Sequence, residues 1–345
     1  MILSPNERGP EVQSMLVIHQ GALGDFILAL PVLKALRKAF PTAKPILMGY
    51  PRILQLVEGR FYADQVFSID QKGMATFFVK EGTLDRTLSQ FFSVFELMVI
   101  FGKDAEGPLM KNLRKISQGR ILHINSLPRW DGGIHLSDYL LRQLTPYGIP
   151  LSEPHPRLYL LESDREWGRR FWRERGVSPE ERSRVIILHP GSGSRKKLWP
   201  LQNFLDLFRH LQAHLRGKFL IVLGPAEGKE VQQAFEALRS PHLVFGKGLS
   251  LIQLASVMEG CRLFIGNDSG ISHMAAALGL PTLAIFGPTD HRVWSPRGEK
   301  AEVVRLGIPC SPCSEERFFL CKEAECLNRI EVADLLNSLR RMEII

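Results

Sequence analysis

Short apolar runs alternate with amphipathic stretches along almost the whole chain. MLVIH (15–19), PILMGY (45–50), QVFSID (65–70), LMVIF (97–101) and ILHIN (121–125) read as strands. A helix follows the first of them to about Phe40, and further helices are predicted over 83–93, 106–117 and 135–144. A second series repeats the pattern. It runs helix 163–175, strand 184–190, helix 201–215, strand 219–224, helix 227–239, strand 243–246, helix 250–258, strand 263–266, helix 269–278 and strand 282–287. A Cys-rich loop and a terminal helix, 331–341, complete the series. Continuous apolar strands separated by helices imply mostly parallel sheets covered on both faces.

Between the two series, Pro146, Pro150, Pro154 and Pro156 crowd the stretch TPYGIPLSEPHP, which reads as the linker. A chain of 345 residues also exceeds what one core usually organises. The expected architecture is α/β, with two Rossmann-like doubly wound domains over 1–152 and 153–330 facing a central cleft. Residues 331–345 are expected to pack back on the first domain. In such sheets ligands sit at the carboxyl ends of the strands.

Composition narrows the partners. The formal net charge is +8, which suits a nucleotide, an acidic glycolipid or an anionic membrane surface. Lys and Arg are dispersed, so no nucleic-acid arm is indicated. Residues 1–14 lack an apolar signal core, and FFSVFELMVIFG (91–102) is too short to span a bilayer and contains Glu96. A cytoplasmic protein, peripheral at a membrane, is expected. Four of the five cysteines fall within 310–326. In a reducing compartment that clustering points to metal or free thiols before disulfides.

The densest chemical signal is GNDSGISHMAAALGLPTLAIFGPTD (266–290). A strand leads into the turn Asn267-Asp268-Ser269-Gly270, then a helix that Gly279 and Pro281 end. Ile271, Met274, Ala275 and Leu278 recur at i, i+3, i+4, i+7 and form one face for the sheet. Ser269, Ser272 and His273 then fall roughly opposite, near the helix start. Free N–H groups there, with hydroxyls and an imidazole, suit a diphosphate. The competing readings are Asp268 as an N-cap and His273 as an exposed structural residue. HPGSGSRKKLWP (189–200) offers a second anion loop, with Ser192, Ser194, Arg195, Lys196 and Lys197. Its alternative is a solvated basic loop.

QGALGDF (20–26), HPGSGSRKKLWP, LGPAEGKE (223–230) and the 266–290 run, in this order and spacing, resemble glycosyltransferase family nine, the bacterial heptosyltransferases. The resemblance covers most of the chain. It implies a GT-B fold with the donor nucleotide on the C-terminal domain, ADP-heptose as donor and a lipopolysaccharide inner core or lipid A precursor as acceptor. It places the diphosphate lysine two residues before the Trp-Pro pair, at Lys197, with Lys196 as the alternative in this longer loop. It also assigns Glu227 to the ribose or base, where the bland reading is a helix-start glutamate favouring the dipole.

QGALGDF itself departs from a dinucleotide loop. It has two glycines, Gly21 and Gly24, and sets a fixed negative charge, Asp25, where a phosphate would be repelled. The family's proposed general base falls on Asp25. The implied chemistry is inverting transfer that needs no metal, with Asp25 and Lys197 as catalytic groups and Gly21 and Gly24 giving room to the acceptor. Asp25 as a plain N-cap is the structural alternative. Pro31 predicts a kink in the following helix.

Cys310, Cys313, Cys321 and Cys326 form CxxC-x7-C-x4-C, a possible zinc set of unusual spacing, with unpaired thiols as the default. Arg129, Trp130 and His135 are weaker acceptor-side candidates that read equally as surface or packing. Three other functions stay open: a relative using another nucleotide sugar, a non-catalytic nucleotide-sugar-binding module, and a nicotinamide oxidoreductase. The last is disfavoured because neither half carries GxGxxG.

Overall fold

The computed structural model describes residues 12–128, 133–224 and 228–345. The chain divides into two compact units with the boundary between His155 and Pro156, inside the proline-rich linker. Each is built on one parallel sheet.

In the first unit, β1 (Ser14–His19), β2 (Lys44–Gly49), β3 (Gln65–Ser68), β4 (Leu97–Gly102) and β5 (Arg120–Asn125) form a sheet of order β3-β2-β1-β4-β5. β1 is central, and Ile18 faces Met48 on one side and Ile100 on the other. Its residues Met15–Ile18 are almost wholly buried, as a strand covered on both faces requires. One layer of core joins Leu16, Ile18, Met98 and Ile100 to Phe77 and Phe92. The helix Leu23–Ala39 continues through Pro31, whose ring removes one backbone donor. Ser137 and Ser152 donate hydroxyl hydrogens to the carbonyls of Leu28 and Pro31 on that helix, each at 2.9 Å.

In the second unit, β6 (Ile186–His189), β7 (Phe219–Leu223), β8 (Leu243–Lys247), β9 (Leu263–Asn267), β10 (Thr282–Ile285) and β11 (Ala301–Val304) are ordered β11-β10-β9-β6-β7-β8. The expectation for residues 331–345 is corrected here. The helix Val332–Arg341 buries Leu335, Leu336 and Leu339 in the second unit's own core, against Leu283 and Ile285. Each such leucine contributes about 1.5–3 kcal/mol of burial, which fixes the helix to this sheet. β11 is an addition to the sequence reading. AEVV is short, edge-lying and half-buried, so it carries no continuous apolar run.

Both sheets have one place where strand order reverses. In the first it lies between β1 and β4, and in the second between β6 and β9. Loops leaving neighbouring strands there diverge to opposite faces and open a crevice, the usual ligand position in this class of sheet.

Candidate functional site

At the second reversal, the chain leaving β9 meets the chain leaving β6. Asn267, the last residue of β9, is fully buried. Its Oδ1 accepts the Trp199 N–H at 3.0 Å, and its Nδ2 donates to the Pro190 carbonyl at 2.8 Å. One amide thus clasps both ends of the HPGSGSRKKLWP loop. Trp199 anchors the far end, with its indole N–H on the Ile330 carbonyl at 2.8 Å. Ser192 adds a bond from Oγ to the Asp268 carbonyl at 2.8 Å.

Within this frame, Lys197 and Asp268 form an ion pair with Nζ 2.8 Å from Oδ2. The alignment is ionic rather than that of a hydrogen bond. The Asp268 side chain is 7% exposed and that of Lys197 28%, so the carboxylate is the buried partner and the ammonium the open one. The N-cap reading of Asp268 is corrected. Ser269 caps the helix Gly270–Ala277, accepting the Ser272 N–H on Oγ. Gly270 opens that helix; Ser269 takes the Ser272 N–H, while the N–H groups of Gly270 and Ile271 come too early in the helix for an intrahelical acceptor.

The helix is buried on nearly all sides, which corrects its expected outward face. Ser272 is fully buried, donating its hydroxyl to the Asn267 carbonyl at 2.5 Å, and His273 is also buried. His273 is therefore not an exposed structural histidine. The four-residue period marked Ile271 and Leu278 for the sheet, yet both are only half-buried. Gly279, at φ +82°, ends the helix in a conformation that glycine adopts without strain.

The two lysines separate. Lys197 stays at the helix start, whereas Lys196 turns away and holds the carbonyls of Phe318 and Phe319. Glu227 lies outside the described residues, as do Arg129 and Trp130.

At the first reversal, His19 ends β1 and Asp25 sits at the third position of the helix Leu23–Ala39. Asp25 is not the N-cap. Ala22 holds that position, and its N–H donates to Asp25 Oδ2 at 3.1 Å. The carboxyl thus steadies the helix start and also lines a cavity of about 460 Å³, together with His19, Gly21, Phe101, Lys103, Asp104 and His123. Gly24 is the second helical residue and is half-buried. Gly21 is sterically required. A Cβ there would lie 2.6 Å from His19 Cε1 and 2.8 Å from Asp25 Cβ.

His19 carries a role that its place in an apolar run hid. It is buried, edge-on to Phe26 and Phe101, and its Nδ1 accepts the Gly21 N–H at 3.2 Å. Burial pushes its pKa down from 6.5 to about 4, so the ring is neutral near pH 7 and can keep that acceptor. The only sequence signal was a polar residue closing an apolar strand, the signal Asn267 also gave. His135 is a buried helix cap, accepting the Ser137 N–H at 3.3 Å.

The cysteines are all free thiols. Cys310, Cys313, Cys321 and Cys326 line one cavity of about 520 Å³. Among the described residues, no group of three or more His, Cys, Asp or Glu side chains is arranged to hold a metal. Burial, then the neighbouring thiols, pushes Cys326 up to about 11 and raises Cys313 as well. Both are therefore protonated near neutrality.

The model of glycosyltransferase family 9 (heptosyltransferase) matches residues 132–322, more than half of the chain. The chain belongs to glycosyltransferase family 9. Lipopolysaccharide heptosyltransferase 3 of Escherichia coli is 23% identical to it over 291 residues, 79% of this chain and 83% of that protein. Among solved structures, the family 9 glycosyl transferase of Veillonella parvula superposes with a TM-score of 0.75 at 20% identity, covering 96% of this chain and 98% of the other. The E. coli ADP-heptose lipopolysaccharide heptosyltransferase II gives 0.73 at 18%, with the same coverage. The two parallel α/β units are thus those of a GT-B glycosyltransferase, and this family 9 protein is an enzyme of that class.

Proposed function

We propose that the enzyme moves heptose from ADP-heptose to the lipopolysaccharide inner core, inverting the anomeric centre without a metal. The observation carrying this reading is Lys197. A buried carboxylate holds its partly exposed ammonium beside the first turn of the Gly270–Ala277 helix. Cation and helix N–H groups together suit a leaving diphosphate, whose charge grows as the glycosidic bond breaks. They supply the charge stabilisation that a divalent ion supplies elsewhere. ADP would draw Lys197 away from Asp268 and take its place as the anion.

The first unit supplies the acceptor side in this reading. An acceptor hydroxyl attacks the anomeric carbon, the new C–O bond forms as the bond to the diphosphate breaks, and Asp25 takes the hydroxyl proton. Its cavity mixes carboxylates, an ammonium and aromatic faces, which suits a charged sugar. A lipid-anchored, anionic acceptor also accords with the net charge of +8. Among the described residues no helix is long and apolar enough to cross a membrane. We place the enzyme peripherally, at the cytoplasmic face of the inner membrane, on the strength of the proposed lipid-anchored acceptor and the net charge.

The test is transfer from ADP-heptose to a heptose-deficient core lipid, with and without a chelator. The reading expects chelator-resistant product of inverted configuration. No product with any core lipid, alongside tight ADP binding, would favour a binding module. Transfer from a different nucleotide sugar alone would reassign the donor.

A further inference from the structure

The Cys-rich segment has no part in the chemistry above, yet it reaches the donor loop. Lys196 Nζ lies 2.5 Å from the carbonyl oxygens of both Phe318 and Phe319, and 5.4 Å from the centre of the Phe318 ring. Those carbonyls belong to the last turn of the helix Glu315–Leu320. Carbonyls there lack intrahelical donors, and the dipole favours a cation. The ammonium satisfies both needs at once.

The segment is rooted elsewhere. The Cys313 N–H donates to the Pro288 carbonyl at 2.8 Å, and Ser311 Oγ to the Gly287 carbonyl at 2.6 Å, just beyond β10. Between root and helix lies the thiol-lined cavity of about 520 Å³. Phe319 and Leu320 are each 69% exposed, so burial of those side chains is not what holds the helix end in place. Asn267 and Ser192 tie the loop to the end of β9, whereas Lys196 ties it to a separate structure.

We propose that the Cys-rich segment 310–326 is a positioning arm of the donor site, acting on the 191–197 loop through Lys196. The proposal rests on the donor reading above. Lys196 is a positioning residue: by fixing its own backbone it fixes where the adjacent Lys197 presents its ammonium. Loss of the arm misplaces Lys197 and weakens donor contacts in the ground state and, because charge grows on the leaving diphosphate, further in the transition state. Donor KM then rises and kcat falls with it.

The experiment is a double-mutant cycle in the full chain, read by calorimetric titration with ADP and by steady-state transfer. Its members are Lys196→Met, a same-length Gly/Ser replacement of residues 314–320, and both together. Each single change is expected to weaken ADP binding about three- to tenfold. The double should bind no worse than either single, and Lys196→Arg, which can donate to both carbonyls, should bind nearly as wild type. If the replacement melts early, the paired Phe319→Gly, Leu320→Gly change frays the same turn and stands in for it.

Wild-type affinity in the segment variant beside a weakened Lys196→Met would overturn the arm, because Lys196 would then touch the diphosphate itself. Multiplying effects, or a kcat loss at wild-type ADP affinity, would also overturn it. Lys197→Met in parallel checks the underlying reading. If that variant binds ADP as wild type, the donor assignment falls, and the arm with it.

Discussion

The two strand-order reversals solve opposite problems with the same local architecture. Each has a buried strand ending in a polar residue, then a glycine-bearing turn and a helix. In the second unit the strand ends in Asn267, and the turn collects partners: two loop ends, a cation and a cap. In the first it ends in His19, a neutral ring wedged between phenylalanines, and the turn carries a carboxylate beside a cavity. In the proposed reading, one reversal offers its cation and helix start to an anion. The other holds a single acceptor group still while leaving space before it. One or two polar residues at the strand end and turn thus decide the chemistry of a reversal, while the backbone plan stays the same.

The comparison breaks most visibly at Asp25. Asp25→Ala should lower turnover by about 10²–10⁴-fold, as for loss of a general base. Near-wild-type rates in a steady-state transfer assay would reduce Asp25 to the helix-start contact with Ala22.

Next in size is an acid effect at His19. Its folded pKa is about 4 against an ordinary 6.5. The unfolded chain therefore binds this proton first as pH falls. Stability is fully present above about 6.5 and is lost down to about 4, by about 3 kcal/mol if the whole shift is expressed. His19→Asn keeps an acceptor for the Gly21 N–H but cannot titrate. Denaturation curves from pH 7 to 4 should show a shallower loss in that variant, and equal slopes would mean that His19 titrates normally.

Asn267→Leu should cost about 1–3 kcal/mol, because the Trp199 N–H and Pro190 carbonyl lose a buried partner. Thermal melting reads the loss, and an unchanged melting temperature would mean that the loop is held without the amide. The smallest effect concerns Cys326. Its alkylation by iodoacetamide should be slow at pH 8 and rise toward pH 11, since the thiolate reacts and the pKa is about 11.

Much of this was legible in the chain because buried parallel strands write themselves as continuous apolar runs. IILH and FLIVL could hardly be anything else. The turn at 267–270 and the carboxylate at 25 stood out in the chain as candidates for chemistry. Their partners were not. The helix Gly270–Ala277 is enclosed almost all round, so its periodicity named a face that the packing does not respect. Lys196 and Lys197 are adjacent and alike in sequence, and their partners tell them apart: the carbonyls of Phe318 and Phe319 for one, Asp268 for the other. Asn267 looked like a strand end because its partners, Pro190 and Trp199, come from far along the chain, and His19 because its burial depends on the remote Phe101 as well as on Gly21 and Phe26. The home of the C-terminal helix was likewise decided by which sheet offered Leu335 and Leu339 a matching surface.

The division of labour between the two reversals is tested most directly by calorimetric titration of ADP into Lys197→Met and Asp25→Asn. ADP binding should weaken sharply in Lys197→Met and stay at wild-type affinity in Asp25→Asn. Weakened binding in Asp25→Asn, with Lys197→Met unaffected, would contradict that division and move the donor to the first unit.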